Sequence, residues 1–213
     1  MGCAMYLPEH FNEVDPEAVA AVIAAAPLAA VVAQTRDGLI ANHIPLIAGK
    51  DGALVGHVAL ANDMHRLIDD GQEILAIFHG ADGYITPNSY PSKAEHHRAV
   101  PTWNYQVAHV YGAIHFQHDE RSKCAALGLL THEHERRVSG DKAWRMSDGP
   151  ADYIVDMLSK IVAFRIVVTR TIAKSKLSQN RDRRDFGGAV AALRERGESA
   201  LADAMEARWP KGE

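Results

Sequence analysis

Three stretches of the 213-residue chain concentrate side chains that can do chemistry. The longest runs from Tyr84 to Tyr105 and reads Tyr-Ile-Thr-Pro-Asn-Ser-Tyr-Pro-Ser-Lys, then Ala-Glu-His-His-Arg-Ala, then Val-Pro-Thr-Trp-Asn-Tyr. It gathers hydroxyls, amides, Lys93 and several aromatic rings, punctuated by Pro87, Pro91 and Pro101. Connections this long are usually functional. The mixture suits a flat heteroaromatic ligand with a polar edge; the structural alternative is a stiff connection whose rings close the end of a barrel. A second stretch sets Asn42 and His43 just before Pro45, and His57 beside small Gly56 and near Ala59, inside otherwise apolar strands. One strand histidine is ordinarily a satisfied structural residue, whereas two on neighbouring hairpin strands point to a pocket. The third is Lys174-Ser175-Lys176-Leu177-Ser178-Gln179-Asn180. A phosphate accepts hydrogen bonds from all its polar groups, and a solvated strand end is the alternative.

Other chemistries are excluded. The chain has no Gly-rich phosphate loop of standard spacing, no Gly-x-Ser-x-Gly elbow and no pair of Cys-x-x-Cys motifs. His132-Glu133-His134 looks metal-like, but residues two apart on a helix project about 200° from one another and cannot chelate one ion together. His96-His97 reads as surface, with the mouth of a ligand site as the alternative. The basic knot Arg181, Arg183 and Arg184 reads as a solvated loop rather than a phosphate patch, since a basic cluster needs a whole face to count.

Composition sets the frame. Apolar residues are 47% and charged residues 23%, the balance of a globular chain rather than a disordered or fibrous one. Net charge is −4 with histidine neutral, which argues against a strong electrostatic grip on DNA. The longest apolar run, Ala18 to Val32, is Ala-rich and broken at Pro27, so no membrane span is expected. The opening Met-Gly-Cys-Ala has no basic region followed by an apolar stretch, so no signal peptide is expected. Two cysteines, Cys3 and Cys124, suit a reducing compartment, and the expected location is cytoplasmic.

The elements that must position these residues follow from local pattern. Asp15, Pro16 and Glu17 open a helix that ends at Pro27. Strands are expected at Leu28–Gln34 and Leu39–Ile47, joined by a hairpin at Thr35-Arg36-Asp37-Gly38, and then at Ala53–Leu60, Glu73–His79 and Tyr84–Thr86. A short helix capped by Asn62 and stopped at Gly71 lies among them. Two longer strands, Trp103–His118 and Ile161–Ile172, alternate as half-buried antiparallel strands do. Helices are expected at about Asp119–Glu135 and Pro150–Ser159, and two helical pieces hinged near Gly197 fill Asp185–Trp209. Seven strands joined by hairpins or by one or two helices exclude a doubly wound sheet and favour a closed or nearly closed antiparallel barrel with flanking helices.

Taken together, these segments resemble the PaiB family of FMN-binding negative transcriptional regulators, relatives of the pyridoxamine-phosphate-oxidase-like split barrels. The resemblance is carried by Ala-Asn-His-Ile-Pro-Leu at 41–46, Gly-His-Val-Ala-Leu-Ala-Asn at 56–62, Tyr84 to Lys93, Val-Pro-Thr-Trp-Asn-Tyr at 100–105 and Lys-Leu-Ser-Gln-Asn at 176–180, with Met-Tyr-Leu-Pro-Glu-His-Phe at 5–11 similar to the family's start. It implies a mainly β, antiparallel six-stranded FMN-binding split barrel over residues 5–180. A C-terminal helical tail over 181–213 would pack on the barrel or on a dimer partner. It also implies a homodimer with FMN at the subunit interface. Carried over by position, His43, Ile44 and Pro45 would approach the flavin, and His57 would shape the floor. Tyr84, Ile85, Thr86 and Lys93 would lie near the ligand, Lys93 as a phosphate or carbonyl partner. Trp103, Asn104 and Tyr105 would approach the ring, and Gln179 and Asn180 would close the site.

Two positions depart from the family's pattern: Ser89 stands where members often carry an aromatic residue, and Leu60 where they often carry a basic one. The first would loosen stacking on the ring and the second would remove a phosphate charge. The resemblance implies a regulator or flavin sensor, yet no convincing helix-turn-helix or basic face is present. The alternatives are a flavin-dependent oxidoreductase, with His43, Tyr105 or His109 as proton relay, and a haem-binding split barrel with one of the 12 histidines as axial ligand.

Overall fold

The computed structural model describes residues 5–209. Cys3 lies outside them, and Cys124 is an exposed free thiol. Eight strands are present: β1 (Asn12–Glu13), β2 (Leu28–Thr35), β3 (Gly38–Pro45), β4 (Ile47–Ala48), β5 (Leu54–Ala59), β6 (Glu73–Ile85), β7 (Thr102–Gln117) and β8 (Ile161–Lys176). They form one mainly antiparallel sheet of order β3-β2-β6-β7-β8-β5-β4, with β1 added on β8. The helices are α1 (Pro16–Ala25), α2 (Met64–Leu67), α3 (Lys93–His96), α4 (Glu120–Ser139), α5 (Ala151–Ser159), α6 (Arg183–Glu195) and α7 (Ser199–Arg208). The expectation of six strands is therefore corrected to eight, because two two-residue strands, β1 and β4, join the six longer ones.

The chain divides into two compact units, and β6, β7 and β8 each run through both. One unit comprises Ala26–Phe78 and His109–Thr171. Its β2–β3 hairpin closes with Thr35 opposite Gly38, whose φ of 109° needs glycine. β3 heads the strand order and β4 ends it, yet only buried Leu46 separates them in the chain. A single residue thus links the two ends of the path. β5 pairs with β8 from Leu54 opposite Ile166 to Ala59 opposite Ile161. Gly56 faces Phe164 in that register, and a Cβ there would lie 2.6 Å from Leu46 Cδ2 and 2.7 Å from Phe164 Cζ. Glycine is what lets both side chains fill the space. α4 starts where Asp119 accepts the Ser122 N–H at 2.9 Å.

The other unit comprises the chain up to Ala25, His79–Ala108 and the chain from Ile172 onward. Its core joins Ile85, Tyr90 and Leu177 to Phe186, Val190 and Leu193 of α6 and to Leu201 and Met205 of α7. The two helices are separated by Gly197, at φ 79°, where the sequence places the hinge. α6 sits flush on the turn Pro87–Ser89: a Cβ on Gly188 would lie 2.1 Å from the Ser89 carbonyl oxygen. β6 is one continuous strand rather than the two expected, and the Tyr84–Tyr105 connection contains α3 as well as that turn.

Candidate functional site

The end of β8 and the segment that follows it carry three cations of the unit that contains α6 and α7. Lys174 is only 6% exposed; its Nζ donates to the Tyr6 carbonyl at 3.0 Å and lies 5.3 Å and 5.4 Å from the ring centres of Tyr6 and Tyr105. Those ring faces hold an ammonium without neutralising it. Lys176 donates to the Thr102 hydroxyl and, at 2.6 Å, to the Trp103 carbonyl. Burial, then the charges of Lys174 and Arg181, holds its pKa below the ordinary lysine range. The Arg181 guanidinium stands 4.9 Å over the Tyr90 ring. Among the described residues none of the three forms an ion pair, so their partners are carbonyls, a hydroxyl and ring faces.

An aromatic pair adjoins them. Trp103 is 51% exposed, its indole N–H donates to Asp82 at 2.8 Å, and its ring meets that of half-exposed Tyr84 edge-on at 6.2 Å. Because Lys176 binds the Trp103 carbonyl, a cation and an exposed indole are fixed to one backbone position. Asn104, the next residue, is fully buried; its amide donates to the Ser178 hydroxyl at 2.8 Å and reaches Met205 Sδ at 3.5 Å. Asn104 Oδ1 and the Tyr90 hydroxyl are buried with no hydrogen-bond partner. Leaving such groups unpaired costs about 1–3 kcal/mol each.

The remaining expected residues of this unit frame the site. Ile85 lies in the core. Thr86 caps the following turn by accepting the Asn88 N–H at 3.2 Å, and Ser89 Oγ donates to its carbonyl at 2.7 Å. Lys93 Nζ donates to Asn88 Oδ1. Gln179 spends its amide on the backbone, accepting from Leu177 N and donating to the carbonyls of Ser175 and His10. Asn180 is exposed. From the sequence, only Gln179 and Asn180 of the 174–180 run are assigned to the site. The period-2 spacing of Lys174 and Lys176 on one strand face is the signal that singles out the two lysines.

In the other unit, β3 exposes His43 and Pro45 and buries Ile44. Its position at the end of the strand path is the one expected for a strand holding Pro45. The amide of Asn62 donates to Asn42 Oδ1 at 2.9 Å, and its own oxygen accepts the Met64 N–H at 2.9 Å, so the 41–46 and 56–62 motifs are tied together and α2 is started by the same side chain. His57 on β5 is half-buried with Nδ1 unpartnered, and burial lowers its pKa. Burial therefore favours its neutral form. Leu60 is 40% exposed, with His65 Nε2 3.0 Å from its carbonyl oxygen.

The geometry offers charge for a phosphate and exposed rings for a flat heterocycle, and a family model described as "Putative FMN-binding domain" matches residues 5–170. The chain belongs to this FMN-binding family. The residues present are compatible with that cofactor: cations that form no ion pair can donate to a phosphate, and an exposed indole can meet a flat ring. The protein is 29% identical over 194 residues to the "Protease synthase and sporulation protein PAI 2" of Bacillus subtilis (strain 168), covering 89% of each chain. Among solved structures it resembles the flavocytochrome Anf3 from Azotobacter vinelandii, at 15% identity and a TM-score of 0.58 over 87% of this chain and 80% of that one. It also resembles a FAD- and heme-binding protein from Mycobacterium smegmatis, at 16% identity and a TM-score of 0.56 over 78% and 73%. At these identities the structural likeness establishes the split-barrel fold.

Proposed function

We propose that this member of the FMN-binding family is a flavin-dependent regulatory protein or flavin sensor, in the manner its likeness to PAI 2 suggests. The observation that carries the reading is the set Lys174, Lys176 and Arg181, three cations without a carboxylate, beside the exposed Trp103–Tyr84 pair. In this reading the lysines and Arg181 hold the phosphate, and Trp103, Tyr84 and Tyr105 face the ring. Asn104 positions Ser178, and Ile85, Thr86, Lys93, Gln179 and Asn180 hold the surrounding loops in place. His43, Ile44, Pro45 and His57, in the other unit, are proposed as flavin contacts on the family resemblance alone. Bound FMN would supply one- and two-electron redox chemistry. The net charge of −4 favours a protein or small-molecule output over direct DNA contact.

A homodimer belongs to the same proposal. β8 runs past the end of its pairing with β5, which stops at Ile166, and Val167, Thr169, Arg170 and Thr171 beyond it are exposed. An exposed stretch of strand past that neighbour suits a second copy. Sedimentation should return twice the chain mass of 23.2 kDa; a monomer at micromolar concentration would overturn the assembly. A cytoplasmic location is proposed with it; no described helix is long and apolar enough to cross a membrane.

The deciding experiment is the visible spectrum after FMN is added and the protein desalted. Retained flavin bands, lost in Lys176→Gln, are expected; a wild-type protein that emerges colourless overturns the reading. A second reading, flavin-dependent oxidoreduction, is favoured by one observation, the half-buried His57 whose Nδ1 has no hydrogen-bond partner. It predicts that reduced nicotinamide bleaches the bound flavin and oxygen restores it.

A further inference from the structure

The unit comprising Ala26–Phe78 and His109–Thr171 carries a cleft of about 510 Å³ between α4 and the loop that follows it, lined by Gly128, Thr131, Arg136, Trp144, Arg145 and Met146. None of the flavin residues lines it. We propose that this cleft is a second ligand site, for a planar aromatic anion whose ring lies against Trp144 and whose oxyanion pairs with Arg145 and Arg136.

Three observations carry this. Gly128 interrupts a 20-residue helix, where glycine is a poor helix former. Packing does not require it: a Cβ there would meet only Met146 Sδ, at 3.9 Å, an ordinary contact. The helix surface is cut back at the wall of the cleft, leaving room that no side chain of this unit uses.

The loop opposite is held while its side chains are left free. Glu135 Oε2 accepts both the Trp144 N–H and the Ser139 hydroxyl, each at 3.1 Å. Asp148 Oδ2 accepts the Arg145 N–H at 2.9 Å. The backbone is thereby fixed, and Trp144 still leaves 42% of its surface exposed. A fixed wall lowers the ordering cost of binding.

The charge is mainly positive. Among the described residues the Arg145 guanidinium forms no ion pair. Arg136 lies 3.7 Å from Glu133 Oε2, but that carboxylate binds Arg137 more closely, at 2.9 Å. Against these cations and His132 the wall offers one carboxylate, Asp141. An arginine fork matches a carboxylate or a phosphate equally well in shape.

The test titrates the full FMN-loaded chain with 1-naphthyl phosphate and, separately, with 1-naphthoate, following the three tryptophan indole N–H resonances by NMR, with Trp144 assigned through Trp144→Phe. The expected result is a saturable shift of Trp144 alone. Affinity should fall by about tenfold in Arg145→Gln and vanish in Gly128→Leu, which fills the cleft with a better helix former and should not lower the melting temperature. A response to both probes assigns oxyanions generally, and a response to the phosphate alone assigns phosphate monoesters. A Trp144 resonance unmoved by millimolar concentrations of either probe, or equal affinity in both variants, overturns the site. Because the flavin stays bound throughout, failure here is separable from failure of the flavin reading.

Discussion

Ser92 and Asp185, 93 residues apart, are joined by two buried hydrogen bonds: the Ser92 N–H reaches Asp185 Oδ1 at 3.0 Å and its hydroxyl reaches Oδ2 at 2.6 Å. Asp185 N in turn donates to Asp182, the N-cap of α6. One carboxylate therefore fixes the start of α6 to the loop that carries Lys93. Burial raises the pKa of Asp185, but the two Ser92 bonds together with Arg184 and Arg181 outweigh it, leaving the carboxyl below its ordinary value of 3.8. A carboxyl lowered on folding contributes stability that is complete above the unfolded value and is lost as pH falls from there through the lower folded value. The docking of α6 should therefore weaken below about pH 4. Ser92→Ala should cost about 1.5–3 kcal/mol at neutral pH and flatten the acid limb of a denaturation profile. An unchanged limb would show that the pair does not govern acid stability.

Two glycines should not tolerate a methyl group, for different reasons. In Gly56→Ala the new carbon meets the flexible end of Leu46 and the Phe164 ring, so a loss of about 1–3 kcal/mol is expected in urea denaturation. In Gly188→Ala it meets backbone at 2.1 Å, which cannot give way. α6 should lift from the Pro87–Ser89 turn, visible as early amide exchange across Arg183–Glu195 while the β5–β8 pairing stays protected.

Gly128 should behave oppositely. Its Cβ position is open, so Gly128→Ala should raise stability by about 0.5–1 kcal/mol. A fall instead would mean that the glycine serves the packing of α4 itself.

Flavin affinity should depend on pH through Lys176. Its pKa lies below the ordinary 10.5, so the ammonium begins to lose its proton at lower pH than a free lysine does. FMN affinity should therefore decline as pH rises, before the ordinary lysine range is reached. Lys176→Arg, which stays charged, should remove that decline in a fluorescence titration of FMN. A wild-type curve flat to pH 10 would take Lys176 out of phosphate binding.

Much of this was legible where local chemistry decides structure. Asp119 and Asp15 announce α4 and α1 because a carboxylate at a helix start satisfies backbone N–H groups, and Gly197 marks the α6–α7 hinge because its φ excludes most other residues. β6 was harder. His79-Gly80-Ala81-Asp82-Gly83 has the composition of a turn, but its glycines answer to distant neighbours: a Cβ on Gly80 would press on Gln106, and one on Gly83 on Glu198 and Leu201. β1 has no local signature, since its two residues become a strand only by pairing with Ala173 and Lys174. In the site, Trp103 and Tyr84 stood out by type. Gln179 carries the same polar promise in the sequence, and only the fold shows its amide committed to three backbone groups. Lys174 and Lys176 draw their meaning from forming no ion pair among the described residues, which is a property of the folded surroundings rather than of spacing.

The one-residue link at Leu46 also sets an order of events on the ribosome. β2 and β3 can pair as soon as their hairpin emerges, but β5 finds its β8 partner only after Ile161–Ile166 is made, and Asp51 waits 114 residues for Arg165. Until then β4 and β5 leave the tunnel as an apolar ribbon with one unsatisfied edge, the condition in which nascent chains most readily meet the wrong partner. Synonymous changes that slow translation between Ala59 and Ile161 would prolong that exposure without altering a single side chain.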